Sequence, residues 1–241
     1  MPTTQTDTPA PASTPSTLAI DIGGTGLKAL VLGPDGTPTT ERVRVPTPKP
    51  ATTSAVLEAL VALVQPLTAY DRVSVGFPGV VVDGVTRTAP NLDPSWKDFD
   101  LAAQLGRRLH STVRVLNDAG VQGYGDIEGQ GLEMVLTFGT GLGCALYYNG
   151  VYVPNLELAH HPFRNGKTYE EYVGNAARKV AGKKKWNKRV KRVIAQVLAT
   201  WNPRKLYLGG GNTKHLDIEL PVDVTIASNE AGLLGGIALW R

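Results

Sequence analysis

The residues with the clearest chemistry in this chain are two glycine-rich turns and an Asn-Asp pair between them. The first turn is D-I-G-G-T-G-L-K at 21–28, the pair is Asn117-Asp118, and the second turn is L-T-F-G-T-G-L-G at 136–143. Glycines let the backbone bend tightly and bring its N–H groups against phosphate oxygens. A carboxylate at the end of a strand is a candidate base for a hydroxyl group. Together these features predict phosphoryl transfer, which needs positioning, charge neutralisation and a base.

Short apolar runs and periodic apolar spacing predict the elements that position these residues. Predicted strands cover 18–22, 27–32, 42–45, 73–77, 113–116, 134–137, 143–148 and 206–208. Predicted helices cover 54–67, 169–180, 184–201 and 229–239, and one more begins with Asp98 as its N-cap. The order of three strands, a helix, a strand and a helix occurs before Asp118, and a similar order follows it. This repetition predicts an α/β fold of two lobes with a ligand cleft between them.

The composition divides the chain into a tail and two lobes. Residues 1–17 are rich in Thr, Pro, Ala and Ser and have no apolar run, so we expect a disordered tail and no secretory signal. We expect an N-terminal lobe at 18–118 and a C-terminal lobe at 119–241, with the last helix packed back on the N-terminal lobe. The single cysteine excludes a disulfide framework, and no apolar stretch is long enough to span a membrane. These features are typical of a cytoplasmic enzyme.

The order of the motifs resembles one known family. The sequence D-I-G-G-T-x-x-K, then N-D-A, then T-F-G-T-G-x-G and finally G-G-G is similar to the ROK family of sugar kinases. The resemblance covers about 18–241 and implies the two-lobed fold shared by actin, sugar kinases and Hsp70, which is ribonuclease H-like. The segment from Arg87 to Trp96 (RTAPNLDPSW) is also similar to a segment of the polyphosphate glucokinases within that family.

The resemblance implies a phosphate site built from the glycine turns. Gly23, Gly24 and Thr25 would contact the transferred phosphoryl group, and Asp21 would place Mg²⁺ through water without a direct structural metal site. The expected phosphate-binding set is Asp21, Gly23, Gly24, Thr25, Lys28, Thr137, Gly139, Thr140 and Gly141. Gly209, Gly210 and Gly211 resemble the turn on the nucleotide side. No structural zinc is expected, because residues 161–167 lack the cysteines of the zinc loop that many family members carry.

The resemblance also implies a sugar site around Asp118. Asp118 would take the proton from the sugar 6-hydroxyl, although its position after a strand equally fits an ordinary helix cap. The expected sugar-binding residues are Asn91, Asn117, Asp118, Glu157, His160 and Glu170. Glu171 competes with Glu170 for the last role, because the preceding loop differs in length from the family pattern. Ala159, Pro162 and Phe163 also depart from that pattern beside the sugar.

One segment of the chain is strongly basic. Residues 178–192 contain nine Lys or Arg and no acid, and without them the formal net charge of +4 would be −5. The apolar spacing fits a surface helix whose buried stripe consists of Trp186, Val190, Val193, Val197 and Trp201. The unbalanced charges fit a path for polyphosphate along Lys184, Lys185, Lys188, Arg189 and Arg192. Nucleic acid is an alternative polyanion, but the tail is too short for a helix-turn-helix module.

These observations predict an enzyme that phosphorylates glucose at the 6-hydroxyl. Inorganic polyphosphate is the expected donor, with ATP as a second donor and Mg²⁺ as the cofactor. The family resemblance implies a homodimer. Two alternatives remain: a strictly ATP-dependent hexose or N-acylhexosamine kinase, and a non-catalytic sugar sensor or nucleic-acid-binding protein.

Overall fold

The computed structural model describes residues 14–227 and 231–241 and shows a mixed α/β architecture. The strands, in chain order, are β1 (Thr17–Ile22), β2 (Gly26–Leu32), β3 (Val43–Pro46), β4 (Arg72–Phe77), β5 (Val81–Val82), β6 (Val85–Thr86), β7 (Phe99–Asp100), β8 (Thr112–Asn117), β9 (Leu132–Phe138), β10 (Leu142–Tyr148), β11 (Val151–Val153), β12 (Pro162–Arg164), β13 (Lys167–Thr168), β14 (Lys205–Gly209) and β15 (Val224–Ile226). The helices are α1 (Thr53–Val64), α2 (Leu101–Leu109), α3 (Asp118–Tyr124), α4 (Tyr169–Val173), α5 (Asn175–Trp201) and α6 (Ala231–Leu234). Short 3₁₀ turns lie at Pro94–Trp96, Leu158–His160, Thr213–His215 and Gly235–Trp240.

Two five-stranded sheets with the same topology form the centres of the two lobes. The first has the order β3-β2-β1-β4-β8 and the second the order β11-β10-β9-β14-β15. In each sheet the first three strands form an antiparallel meander, and two further strands add in parallel. The predicted repetition is therefore present in the topology.

Each sheet carries its own hydrophobic core because one helix face covers it. Thr52 caps α1 by accepting the N–H of Ala55, and the helix buries Leu57 and Leu60 against the first sheet. The predicted stripe of α5 is buried on the second sheet, apart from its last member, Trp201, which is only partly buried. The indole of Trp186 also donates to the carbonyl of Val173 at 2.7 Å.

The structure corrects the predicted start of α2. The N-cap is Asp100, whose carboxylate accepts the N–H of Ala103 at 2.9 Å, and not Asp98. Asp98 instead has a left-handed backbone with φ of 56° and pairs with Arg87. Phe99 and Asp100 pair with β6, so the helix begins only after this short strand ends.

The predicted helix at 169–180 is divided at Gly174. This residue is extended and lies against the second glycine turn, where a Cβ would meet the carbonyl oxygen of Thr140 at 3.3 Å. A second interruption at Gly182, with φ of 71° and ψ of 162°, separates two helical parts within α5. At the other end of the chain β1 begins at Thr17, the last residue assigned to the predicted tail, and the N–H and carbonyl of Ser16 before it bond to Asp71. Residues 1–13 of that tail lie outside the described residues.

The last described segment packs on the first sheet. Leu233 and Ile237 join Ala19, Leu30 and Leu32 in one buried cluster. The predicted helix at 229–239 is only partly helical: 228–230 lie outside the described residues, and Gly235–Trp240 is a 3₁₀ turn. Residues 14–227 and 231–241 contain no helix long and apolar enough to cross a membrane.

The helix α3 lies between both sheets and this last segment, and glycines allow the close contacts. A Cβ at Gly123 would meet the hydroxyl oxygen of Tyr147 at 2.4 Å. A Cβ at Gly235 would lie 1.8 Å from the carbonyl oxygen of Val121. The position of α3 is therefore set by direct contact with its neighbours.

We expect Gly235→Ala to destabilise the protein by about 1–3 kcal/mol, because the added methyl group overlaps the backbone of α3. Urea denaturation measures the free energy of unfolding. Gly211→Ala is the matched control, because nothing lies within 4 Å of a Cβ at that position. Equal stability of the two variants would contradict the close packing of α3.

Candidate active site

A cleft of about 720 Å³ lies between the two lobes. It brings together most of the residues that the sequence singled out. The predicted residues that line it are Asp21, Gly23, Gly24, Thr25, Lys28, Asn91, Asn117, Asp118, Thr137, Gly139, Thr140, Gly141, Glu157, His160, Glu170, Gly210 and Gly211.

Six predicted residues do not line this cleft. Gly209 is the last residue of β14 and faces the side chain of Gln122. Lys184, Lys185 and Lys188 are exposed on α5. Arg189 and Arg192 of the same helix both bond to Tyr172, through its carbonyl and its hydroxyl. These α5 residues lie outside the cleft, and a polyphosphate path along them stays a prediction.

The first glycine turn is bordered by a row of charged side chains across three strands. Asp21 on β1 faces Lys28 on β2, and their side chains form an ion pair at 2.5 Å. Lys28 in turn faces Arg44 on β3. The guanidinium of Arg44 approaches Gly26 so closely that a Cβ there would lie 3.0 Å from its Nε. Asp21 compensates only one of the two facing cations, so the row keeps a net positive charge that suits a phosphate.

Arg44 is a cleft residue that the sequence analysis missed. The only sequence signal is its alternation with the partly buried Val43 and Val45 on β3, which places it on the other face of the strand. Its position opposite Lys28 depends on strand register, which no local motif encodes.

The second glycine turn is held by side chains from distant parts of the chain. The amide of Asn212 donates to the carbonyl of Gly139 at 2.8 Å. The carboxylate of Glu170 accepts the N–H of Leu142 at 3.1 Å. A Cβ at Gly141 would lie 1.8 Å from the same carboxylate, so only glycine allows this approach.

Glu170 and Glu171, the two candidates for the last sugar-binding position, differ in what their carboxylates contact. Glu171 completes a capping box with Thr168 at the start of α4, where its carboxylate accepts the backbone N–H of Thr168 at 2.8 Å. Glu170 is the residue whose side chain enters the cleft.

The cap of α3 is Asn117, which leaves Asp118 inside the first helical turn. The side-chain oxygen of Asn117 accepts the N–H groups of Ala119 and Gly120, and its amide donates to the carbonyl of Gly79 at 3.1 Å. From the part of the chain that the structure describes, the Asp118 carboxylate accepts only the N–H of Ala119, through Oδ1 at 2.7 Å. The helix-cap role is therefore performed mainly by Asn117, and the carboxylate of Asp118 is directed to the cleft.

The cleft shifts the ionisation of Asp118 strongly. Burial, together with the negative charges of Asp21 and Glu157, raises its pKa to about 7, while the N–H of Ala119 and Lys28 oppose the shift. A carboxyl group with a pKa near neutrality can accept a proton and release it again at physiological pH.

Glu157 and His160 also line the cleft. Their Oε2 and Nε2 atoms are 3.5 Å apart across one 3₁₀ turn. Nearby, burial raises the pKa of the Cys144 thiol to about 12, so the thiol stays protonated and is no nucleophile. Within residues 14–227 and 231–241, no three His, Cys, Asp or Glu side chains converge in a way that could hold a metal ion.

The sequence of residues 17–154, more than half of the chain, matches the ROK family. The chain belongs to the ROK family. It is also 33% identical to the polyphosphate glucokinase of Mycobacterium tuberculosis, in an alignment that covers 95% of this chain and 92% of that protein. The predicted family resemblance is confirmed, and with it the expectation of a phosphotransferase.

Solved structures show the same fold. The inorganic polyphosphate/ATP-glucomannokinase from Arthrobacter sp. strain KM matches with a TM-score of 0.86 and 33% identity, covering 94% of this chain and all of that one. A ROK family glucokinase from Streptomyces griseus, solved with glucose and AMPPNP, matches with a TM-score of 0.77 and 19% identity, covering 93% of this chain and 98% of that one. The predicted two-lobed sugar-kinase fold is confirmed.

We expect the raised pKa of Asp118 to make the protein less stable as pH rises. The folded-state pKa of about 7 lies above the ordinary value of 3.8, so the stabilising contribution is complete below about pH 4 and lost through pH 7. Asp118→Asn should remove that decline and be more stable than the wild type above pH 7. Denaturant unfolding between pH 4 and 8 measures this.

Asp93→Asn is the control for this experiment, because hydrogen bonds from Ser95 lower the pKa of Asp93 instead. It should keep the decline between pH 4 and 7. The same decline in Asp118→Asn would show that Asp118 is not the group responsible.

Proposed function

We propose that the protein phosphorylates glucose at its 6-hydroxyl, with inorganic polyphosphate or ATP as the donor. The observation that carries this proposal is the position of Asp118, a carboxyl group with a pKa of about 7, in one cleft with both glycine turns and three polar sugar-side residues. The polyphosphate glucokinase and the glucomannokinase to which the chain is similar support this choice of acceptor and donors.

The donor side of the cleft is suited to a chain of phosphates. The backbone N–H groups of the two turns are available to phosphate oxygens where glycine leaves them uncovered. Lys28 and Arg44 supply positive charge beside the first turn. We infer that the first turn holds the transferred phosphoryl group and that the second holds the rest of the donor.

We propose that Mg²⁺ is bound mainly by the phosphates of the donor and not by a set of protein side chains. Asp21, Asp118 and Glu157 bring negative charge close together, which a divalent cation would relieve. Asp21 would hold the ion through water, as the family pattern suggests. Mg²⁺, when bound, supplies charge neutralisation of the donor phosphates.

The sugar side offers hydrogen-bonding groups for adjacent hydroxyls. We propose that Glu157, His160 and Glu170 bind them, with Asn91 beside the first turn. Asn117 has one amide hydrogen left after its cap and its bond to Gly79, so it can contribute a single hydrogen bond. Buried polar groups that lose their partner select strongly against sugars without the matching hydroxyl.

The proposed step is a direct transfer. The sugar O6 attacks the terminal phosphorus while Asp118 accepts the O6 proton, so an O6–P bond forms. The bridging P–O bond of the donor breaks, and its electrons stay on the leaving oxygen, where the N–H groups of the second turn stabilise the charge. The products are glucose 6-phosphate and a donor shortened by one phosphate, which is ADP when ATP is used.

One observation favours a nucleotide donor as a second possibility. Gly210 and Gly211 line the cleft beyond the second glycine turn, where the family resemblance places the nucleotide. A strictly ATP-dependent hexose or N-acylhexosamine kinase is the function that this observation supports. The family-derived homodimer also stays a prediction.

We expect Asp118→Asn to lower kcat by about two to four orders of magnitude, the usual contribution of a general base. In the wild type kcat/KM should rise with pH up to about 7, because the base must be ionised to accept the proton. Steady-state kinetics across pH measure both effects. Glu58→Gln, on the exposed face of α1, is the control and should match the wild type. Near-wild-type turnover in Asp118→Asn would contradict the assignment.

The donor is tested by offering ATP, GTP and polyphosphate separately to the protein with glucose and Mg²⁺. We expect glucose 6-phosphate from polyphosphate and from ATP. Product from ATP but none from polyphosphate would support the ATP-dependent alternative. No product from any donor would support a sugar sensor without catalytic activity.

A further inference from the structure

Two segments that are distant in sequence are hydrogen-bonded to the second glycine turn. The N–H of Asn212 donates to the carbonyl of Phe138 at 2.9 Å, and its amide donates to Gly139. The N–H of Asn175, at the start of α5, donates to the carbonyl of Thr140 at 3.1 Å. The 3₁₀ turn Thr213–His215 and the first turn of α5 are therefore fixed beside the donor end of the cleft.

These two segments carry three basic side chains, which we name the exit cluster: Arg178 from the first turn of α5, and Lys214 and His215 from the 3₁₀ turn. A buried amide fixes the two segments together. The Nδ2 of Asn187 donates to the carbonyl of His215 at 3.0 Å, and its Oδ1 accepts the N–H of Asp217 at 2.7 Å.

The exit cluster has more positive charge than its neighbours balance. The neighbouring Lys183, beyond the break of α5 at Gly182, already pairs with Asp217 at 3.0 Å. Among the described residues, no carboxylate lies within ion-pairing distance of Arg178 or Lys214, and the guanidinium of Arg178 bonds only to the side-chain oxygen of Asn175. Burial and the charges of Arg178, Lys214 and Lys183 lower the pKa of His215, as expected where cations lie close together.

We propose that the exit cluster binds the internal phosphates of a long polyphosphate donor as the chain leaves the second glycine turn. This inference rests on the proposed function. Arg178 follows Asn175, whose N–H is bonded to Thr140, by one helical turn or about 5 Å along the axis, so it is the first cation on α5 after the glycine turn. A short donor such as tripolyphosphate is held by the two glycine turns alone and does not reach the exit cluster.

The exit cluster differs from the path predicted from the sequence. The predicted residues Arg189 and Arg192 are engaged by Tyr172, and Lys184, Lys185 and Lys188 lie beyond the break of α5 at Gly182. Arg178 and Lys214 instead belong to the segments that bond directly to the turn lining the cleft.

The test compares Arg178→Gln/Lys214→Gln with the wild type. We expect KM for long-chain polyphosphate to rise about tenfold at low salt, since each exposed charge pair contributes up to about 1 kcal/mol. KM for tripolyphosphate, KM for glucose and kcat should stay within about twofold. The slope of log KM against log salt should also fall by about 1.5 for long chains, because two fewer counterions are released at about 0.7–0.9 each.

The single variant Lys214→Gln keeps the test valid if loss of the Arg178–Asn175 bond disturbs α5. Lys97→Gln/Arg107→Gln is the matched control, because it removes two exposed charges from the first lobe. It should leave both donors unaffected. Equal losses for long and short donors in the test variants, or no loss in either, would overturn the proposal.

Two further results separate this inference from the proposed function. If Lys184→Gln/Lys188→Gln alone weakens the use of long chains, the path runs along α5 and the exit cluster is wrong. If the wild type uses ATP but not polyphosphate, the proposed donor fails. Binding of labelled long-chain polyphosphate, measured by fluorescence anisotropy, then tests the exit cluster separately. Binding to the wild type that is lost in Arg178→Gln/Lys214→Gln supports the exit cluster, and no binding to the wild type overturns it.

Discussion

The close packing of α3 between the two sheets is the constraint on which the site depends. The helix carries the candidate base in its first turn and contacts both lobes within seven residues. Asn117 ties its start to Gly79 of the first lobe, and the hydroxyl of Tyr147 in the second lobe donates to the carbonyl of Gly120 at 2.5 Å. Because both lobes contact the same short helix, the two glycine turns keep a defined relation to the carboxylate of Asp118.

The position of Asp118 lowers the stability of the fold and at the same time makes the carboxylate a better proton acceptor. A carboxyl group close to Asp21 and Glu157 in a confined cleft is costly to ionise, and that cost raises its pKa to about 7. An exposed aspartate would be cheaper for the fold but a weaker proton acceptor. A similar balance holds for Arg178 and Lys214, which have no ion-pair partner among the described residues: cations held close together are unfavourable, and the proposed polyanion would relieve that cost.

Local sequence predicts the parts of the site that are local in structure. The glycine turns and the Asn-Asp pair are contiguous, so their residue types alone indicate phosphate chemistry. Arg44 could not be found this way, because its role follows from facing Lys28 across two strands. The choice between Glu170 and Glu171 also needed the structure, since it depends on which carboxylate the capping box uses. The start of α2 was misplaced because pairing of β7 with β6 overrides the capping preference of Asp98.

The packing of residues 231–241 on the first sheet has a consequence for the order of folding. The hydroxyl of Ser74 donates to the carbonyl of Gly236, 162 positions away in sequence, and the indole of Trp240 donates to the same hydroxyl. Contacts of such separation form late, because a long loop must close before they stabilise anything. The outer face of the first sheet, with Ala19 and Leu30, therefore remains uncovered until the second lobe has been synthesised. During that interval the nascent chain exposes an apolar surface, and exposed surfaces of this kind favour aggregation.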